Sequence, residues 1–149
     1  MTKPFVRTFR FFGVDLTDNT LGESQGDCPF CGKAGHFSVN NGTGQWGCWV
    51  CSRSGNIYTF LRQWYEFCKY QPQRPLAELV ALRDIPEKTL ARHGLVWDTH
   101  NDRWMFPVWR PSDNGKLSLV NLKVWGHRGN PANLWGLLTV PTTCTTSNT

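Results

Sequence analysis

Four cysteines stand out as the residues able to do chemistry: Cys28, Cys31, Cys48 and Cys51. They form two Cys-x-x-Cys pairs separated by sixteen residues. Zn²⁺ takes four ligands tetrahedrally, with sulfur at ~2.3 Å. Two residues between cysteines let one tight turn offer both sulfurs to a single ion, and a second such turn closes the shell. The spacing therefore reads as one structural Zn²⁺, with no position left open for water or substrate. The competing reading is a redox dithiol, for which one pair would suffice. Cys68 and Cys144 stand apart from the pattern; Cys68 falls on an expected helix as a small core residue.

Several side chains around the cysteines are candidates for contact with nucleic acid. His36 can hydrogen-bond a base or sit as a solvated strand residue. Trp46 and Trp49 flank Cys48. In a regular strand Trp46 shares the parity of Cys48 and Trp49 points the other way, so one of them can stack on a base. The alternative is that both cover the metal and the helix that follows. Lys33, Arg53 and Arg62 surround the ribbon, either reaching phosphate or offsetting the negative charge of four thiolates around one divalent ion.

These residues need elements to position them. Phe5, Val6, Phe9, Phe12 and Val14 recur at near-helical spacing and predict a short helix, whereas 15–27 is rich in Thr, Asn, Gly and Ser and reads as loop. Residues 36–40 and 45–49 alternate apolar with polar side chains around Asn41-Gly-Thr-Gly44, predicting a β-hairpin that joins the two metal-binding turns. Asn56 is a candidate N-cap for a helix over 56–70, with Ile57, Phe60, Leu61, Trp64, Phe67 and Cys68 on one face. Gln71-Pro-Gln-Arg-Pro75 reads as a stiff linker. Beyond it come two short helices (76–82 and 86–93) and two strands (103–109 and 117–125) around the turn Pro111–Gly115, with Pro107 suited to an edge. The expected fold class is α+β: a small β zinc ribbon with a packed helix over 1–70, then a small α+β unit over 76–137, helices first and a β-hairpin after. A Thr-rich tail over 138–149 is expected to be loosely held.

Composition sets wider bounds. The 149 residues carry a formal charge of +5; four thiolates and one Zn²⁺ subtract two, leaving +3, a mildly basic balance that permits a nucleic-acid partner. Eight Trp and nine Phe are an unusual aromatic content; most are expected in the core, and a few left exposed would make stacking platforms. No uncharged apolar run approaches the ~20 residues needed to span a bilayer, and residues 1–12 lack the apolar stretch of a signal peptide. A cytoplasmic location is expected, that of the host cell if the chain is phage-encoded.

Cys28-Pro-Phe-Cys31, His36-Phe-Ser-Val39, Trp46-Gly-Cys-Trp-Val-Cys51 and Ser54-Gly-Asn-Ile-Tyr-Thr-Phe-Leu61 together resemble the zinc-binding domain of bacterial and phage DNA primases. That family commonly has His at the second ligand, where this chain has Cys31. Thr89-Leu-Ala-Arg-His-Gly-Leu95, Arg103-Trp-Met-Phe-Pro-Val108, Asp113-Asn-Gly115 and Leu134-Trp-Gly-Leu137 look like the start of the primase catalytic core. The resemblance implies a zinc ribbon that binds single-stranded DNA template for RNA primer synthesis in replication. By position it also carries template binding to Arg103 and Lys123; for both, exposed charge on a strand is the plainer reading.

In that family polymerisation belongs to a Toprim domain, whose Glu and Asp-x-Asp carboxylates hold Mg²⁺. These 149 residues contain no Asp-x-Asp pair. No catalytic residue is assigned, and Mg²⁺ is expected only with a catalytic partner or a missing domain. A primase-type nucleotidyltransferase is implied by resemblance alone, the chain being a fragment or shortened relative. Expected partners are single-stranded DNA, a replicative helicase and a Toprim-containing protein, with no membrane. The alternatives are a standalone zinc-ribbon module that binds nucleic acid or regulates replication without enzymatic activity, and a ribbon that only mediates protein contacts.

Overall fold

The computed structural model describes residues 4–19, 21–126 and 138–139. Of the expected tail only 138–139 are among them, and the Leu134–Leu137 element lies outside. The described chain is α+β with two antiparallel sheets. It forms two compact units, one running to Leu61 and the other spanning Arg62–Thr139. Among the described residues no helix is long and apolar enough to cross a membrane.

The first unit opens with α1 (Pro4–Phe11). Val6, Phe9 and, just past the helix, Phe12 recur every three residues, and all three are buried. Five strands follow: β1 (Leu16–Asp18), β2 (Glu23–Gly26), β3 (Phe37–Asn40), β4 (Trp46–Cys48) and β5 (Ser54–Gly55), which neighbour one another in chain order. Strands β1 and β2 correct the expectation of a loop over 15–27. Their polar composition conceals them, because only Leu16 and Ser24 turn inward. Pairing with β3, Ser24 opposite Val39, holds them extended. The turn between them is closed by the Asn19 side chain, which accepts from the Leu21 and Glu23 amides at 2.9 and 3.0 Å. At the other end of the hairpin, opposite Leu16, Gly26 is required, since a Cβ would strike the Asp15 carbonyl.

Phe37 and Val39 of β3 lie opposite Cys48 and Trp46 of β4. The period of two puts all four on one face, and all four are buried. Phe9, Phe12 and Phe60 cover that face. Ring centroids lie 4.6 Å apart for Phe9–Phe60, 5.6 Å for Trp46–Phe60 and 5.5 Å for Phe37–Trp46. Each such pair contributes about 0.5–1.5 kcal/mol beyond area burial. Phe60 belongs to α2 (Ile57–Lys69), whose Asn56 cap accepts from the Thr59 amide at 2.9 Å. The first five residues of α2 belong to this unit and the remaining eight to the second.

The second unit contains the Gln71–Pro75 segment, α3 (Leu76–Arg83), α4 (Glu87–Arg92) and strands β6 (Val96–Asp98), β7 (Arg103–Pro111), β8 (Leu117–Gly126) and β9 (Leu138–Thr139). The sheet order is β6-β7-β8-β9. Cross-strand register lines up Trp97, Trp104 and Trp125 on one face, where they bury Leu79 and Leu90. Towards α2, the Trp64 indole donates to Asp98 at 3.2 Å and the Tyr65 hydroxyl to the Gly94 carbonyl at 2.7 Å. β6 pairs only with residues 103–105 of β7, so Pro107, opposite Leu122 of β8, lies beyond the end of β6. A bulge sets Val108 opposite Asn121 but Trp109 opposite Leu119, leaving Val120 as an extra residue in β8.

Candidate metal centre

Cys28 and Cys31 sit on the turn after β2, and Cys48 and Cys51 on the turn that ends β4. The two turns share one hydrogen-bonding plan. In the first, the Cys28 amide donates to the Lys33 carbonyl at 3.1 Å and the Gly32 amide to the Cys28 carbonyl at 2.8 Å. In the second, the Cys48 amide donates to the Arg53 carbonyl at 2.9 Å and the Ser52 amide to the Cys48 carbonyl at 3.1 Å. Both turns need a left-handed residue right after the second cysteine: Gly32 at φ 75° and Ser52 at φ 62°. The register Phe37 opposite Cys48 brings the second turn back against the first.

All four Sγ atoms lie within 4.8 Å of one another. Cys28 and Cys51 sulfurs are 3.8 Å apart, and those of Cys31 and Cys48 are 3.7 Å apart. A tetrahedral ion with sulfur at ~2.3 Å has S···S edges of about 3.8 Å, which these two pairs match, so the donor set could hold one metal ion. Backbone amides aim at the sulfurs: Cys31 at Cys28 from 3.5 Å, and Val50 and Cys51 at Cys48 from 3.4 and 3.5 Å. The thiols differ in proton affinity. Burial pushes Cys28 well above the ordinary thiol value. Burial also acts against ionisation of Cys48, but the Cys51 and Val50 amides, with Cys31 and Cys28, draw it down to about 7. A divalent cation would replace protons in this cluster, and four protein donors leave it no open position.

The other expected contact residues divide sharply. Trp49 is 65% exposed and Val50 beside it 48% exposed. His36 is half-buried and meets the Trp49 ring edge-on at 6.2 Å, while its carbonyl accepts from the Trp49 amide at 3.2 Å. Lys33 and Arg53 are exposed, and the Arg53 guanidinium lies 4.7 Å above the Phe30 ring.

Trp46 is a correction. It is only 4% exposed, stacks on Phe30 and Phe37 at 5.7 and 5.5 Å with interplanar angles of 30° and 26°, and donates its indole N–H to the Asn56 carbonyl at 2.8 Å. It closes the core and offers no face to a base. Arg62, Arg103 and Lys123 belong to the second unit. Arg62 is exposed and donates to the Leu119 carbonyl at 3.4 Å, and Lys123 is half-buried opposite Phe106. Arg103 is a second correction: its side chain is 15% exposed and lies 3.9 Å from the fully buried Asp98 carboxylate. Burial lowers its pKa and Asp98 opposes that shift, so the charge is committed to a buried pair rather than offered to a phosphate.

Sequence reasoning passed over Phe30 and Val50. Both stand two positions after the leading cysteine of a turn, and that matching offset was the available signal.

No protein-family model matches the chain, and no curated protein sequence matches it. Among solved structures, the chain is similar to the zinc-binding and RNA polymerase domains of the Aquifex aeolicus primase, at 12% identity and a TM-score of 0.41. The likeness covers 96% of this chain and 55% of that one, so the chain spans about half the length of the primase segment it resembles.

Proposed function

We propose that this chain is a primase-like module that holds single-stranded DNA template on a ribbon shaped by one structural Zn²⁺. The observation that carries the reading is the closed four-sulfur shell with an exposed indole on its second turn: Trp49, 65% exposed and braced by His36. A thiolate set of this geometry suits zinc, which supplies folding energy and no reaction step. Trp49 offers a stacking face, Val50 adjoins it, and Lys33 and Arg53 provide positive charge for phosphate. The residues here account for template binding. Primer synthesis would need carboxylates on a Toprim-containing partner or domain, with Mg²⁺, and a replicative helicase is the natural second partner. The proposed setting is the cytoplasm, the host's if the chain is phage-encoded.

Fluorescence anisotropy with labelled single-stranded oligonucleotides tests the reading. The zinc-loaded chain should bind, with a log–log salt slope of about −0.7 per phosphate neutralised. Trp49→Ala should weaken binding about fivefold or more while leaving the melting temperature unchanged, the size expected for one lost base stack. Weak, salt-insensitive binding across a panel of strands would overturn the proposal in favour of a ribbon that contacts protein. Robust primer synthesis by this chain alone, given template, Mg²⁺ and nucleotides, would refute the restriction to binding.

A further inference from the structure

We infer that the second unit carries its own contact for single-stranded nucleic acid, centred on Trp109. The inference rests on the single-strand reading above and extends it to a surface outside the metal centre.

Trp109 is 44% exposed on β7 and meets the Tyr65 ring edge-on at 6.1 Å. Tyr65 is fixed in turn by the 2.7 Å hydrogen bond from its hydroxyl to the Gly94 carbonyl. An indole held on an anchored ring while half open to water is a rigid plate, and a base can stack on it at little cost in side-chain entropy. The bulge between Val108 and Trp109 sets this plate opposite Leu119. Beyond it, Leu117, 64% exposed, carries apolar surface towards the hairpin turn.

Cations border the plate. Arg62 reaches the carbonyl of Leu119, the cross-strand partner of Trp109, at 3.4 Å. The Lys69 ammonium lies 5.5 Å over the Tyr65 ring. Arg110 follows Trp109 in the strand and so projects from its opposite face, which leaves Arg62 and Lys69 as the cations on this side. Glu66 offsets part of this charge through its 3.4 Å pair with Lys69. An exposed aromatic plate with a positive margin is complementary to a ligand that brings phosphates and unstacked rings together. Duplex DNA brings phosphates but keeps its base faces stacked, and an acidic protein surface brings charge without a series of flat rings. A single strand brings both.

The test uses the zinc-loaded full chain and bromodeoxyuridine-substituted single strands, with affinity read by anisotropy and irradiated complexes mapped by mass spectrometry. A crosslink to the peptide bearing Trp109 is expected. Trp109→Ala should weaken binding about fivefold, Trp109→Phe should restore most of it, and Lys69→Gln should flatten the salt slope by about 0.7. Lys69→Gln alters only an exposed side chain, so it keeps the test open if Trp109→Ala fails to fold. If the wild-type chain binds and Trp49→Ala weakens it, but Trp109→Ala leaves the affinity and Lys69→Gln the salt slope unchanged, this inference alone falls and the surface is left to a protein partner. If the wild-type chain shows no salt-sensitive binding to any strand, the single-strand reading falls and takes this contact with it.

Discussion

In the first metal-binding turn, Cys28 to Lys33, the residue two places after the leading cysteine is Phe30; in the second, Cys48 to Arg53, it is Val50. The two turns share backbone hydrogen bonds, a left-handed fifth residue and a basic sixth. Their side chains face different tasks. Phe30 lies against Trp46 and Phe60 at 5.7 and 5.8 Å under the Arg53 guanidinium, so the first turn seals the core. Trp49 and Val50 point to solvent, so the second turn makes a surface. Once four sulfurs fix the backbone of both turns, the residues between each pair of cysteines no longer have to stabilise it. One pair can serve packing while the other remains available for a ligand.

The harshest way to break this comparison is to remove what the turns share. Chelation should release one Zn²⁺ per chain, measured by elemental analysis, and abolish structure over residues 28–55. Apparent binding energies for such sites are about 10–16 kcal/mol at neutral pH, larger than the stability of most small domains. Both turns should lose order together, because each supplies half of one shell; hydrogen exchange showing one turn intact would contradict that. Bound thiolates regain protons as pH falls, so affinity rises with pH and release should come on the acid side.

A finer test separates the turns. Phe30→Ala should cost about 2–3 kcal/mol in urea denaturation, a partly exposed ring losing less than a fully buried one. Val50→Ala, at the matching position, should stay within about 0.5 kcal/mol. Equal losses would mean that the second turn also closes a core. The smallest effect concerns the left-handed positions. Ser52→Gly should relieve strain and stabilise by up to about 1 kcal/mol, while Gly32→Ala, which meets no atom within 4 Å and so introduces strain alone, should destabilise by about as much. Thermal melts of the zinc-loaded variants would read both.

The metal centre was the most legible part of the sequence, because ligand chemistry constrains residue type and spacing together. The α2 helix was legible for a similar reason: Asn56 supplies a capping oxygen, and the apolar positions after it follow one helical face. Strand parity also placed Trp46 with Cys48 and Trp49 on the other side, although it could not show that Phe37 and Phe60 would enclose Trp46. Strands β1 and β2 were not legible. A polar segment becomes a strand when a neighbour pairs with it; β1 pairs with β2, and β2 with β3, which lies beyond the first metal-binding turn. Arg103 misled for a comparable reason: Asp98, the carboxylate that claims it, lies across a turn on a strand too short to carry a pattern.

The extra residue at Val120 bears on how this hairpin can vary in length. It has no partner of its own on β7, since Asn121 is taken by Val108 and Leu119 by Trp109. A homologue one residue shorter there could keep every pairing from Arg103 to Pro111. A deletion elsewhere in β8 would slide one segment past the other and turn its inward side chains outward. Gaps in an alignment of this region therefore belong at Val120, and a gap placed there is compatible with an unchanged Trp109 surface.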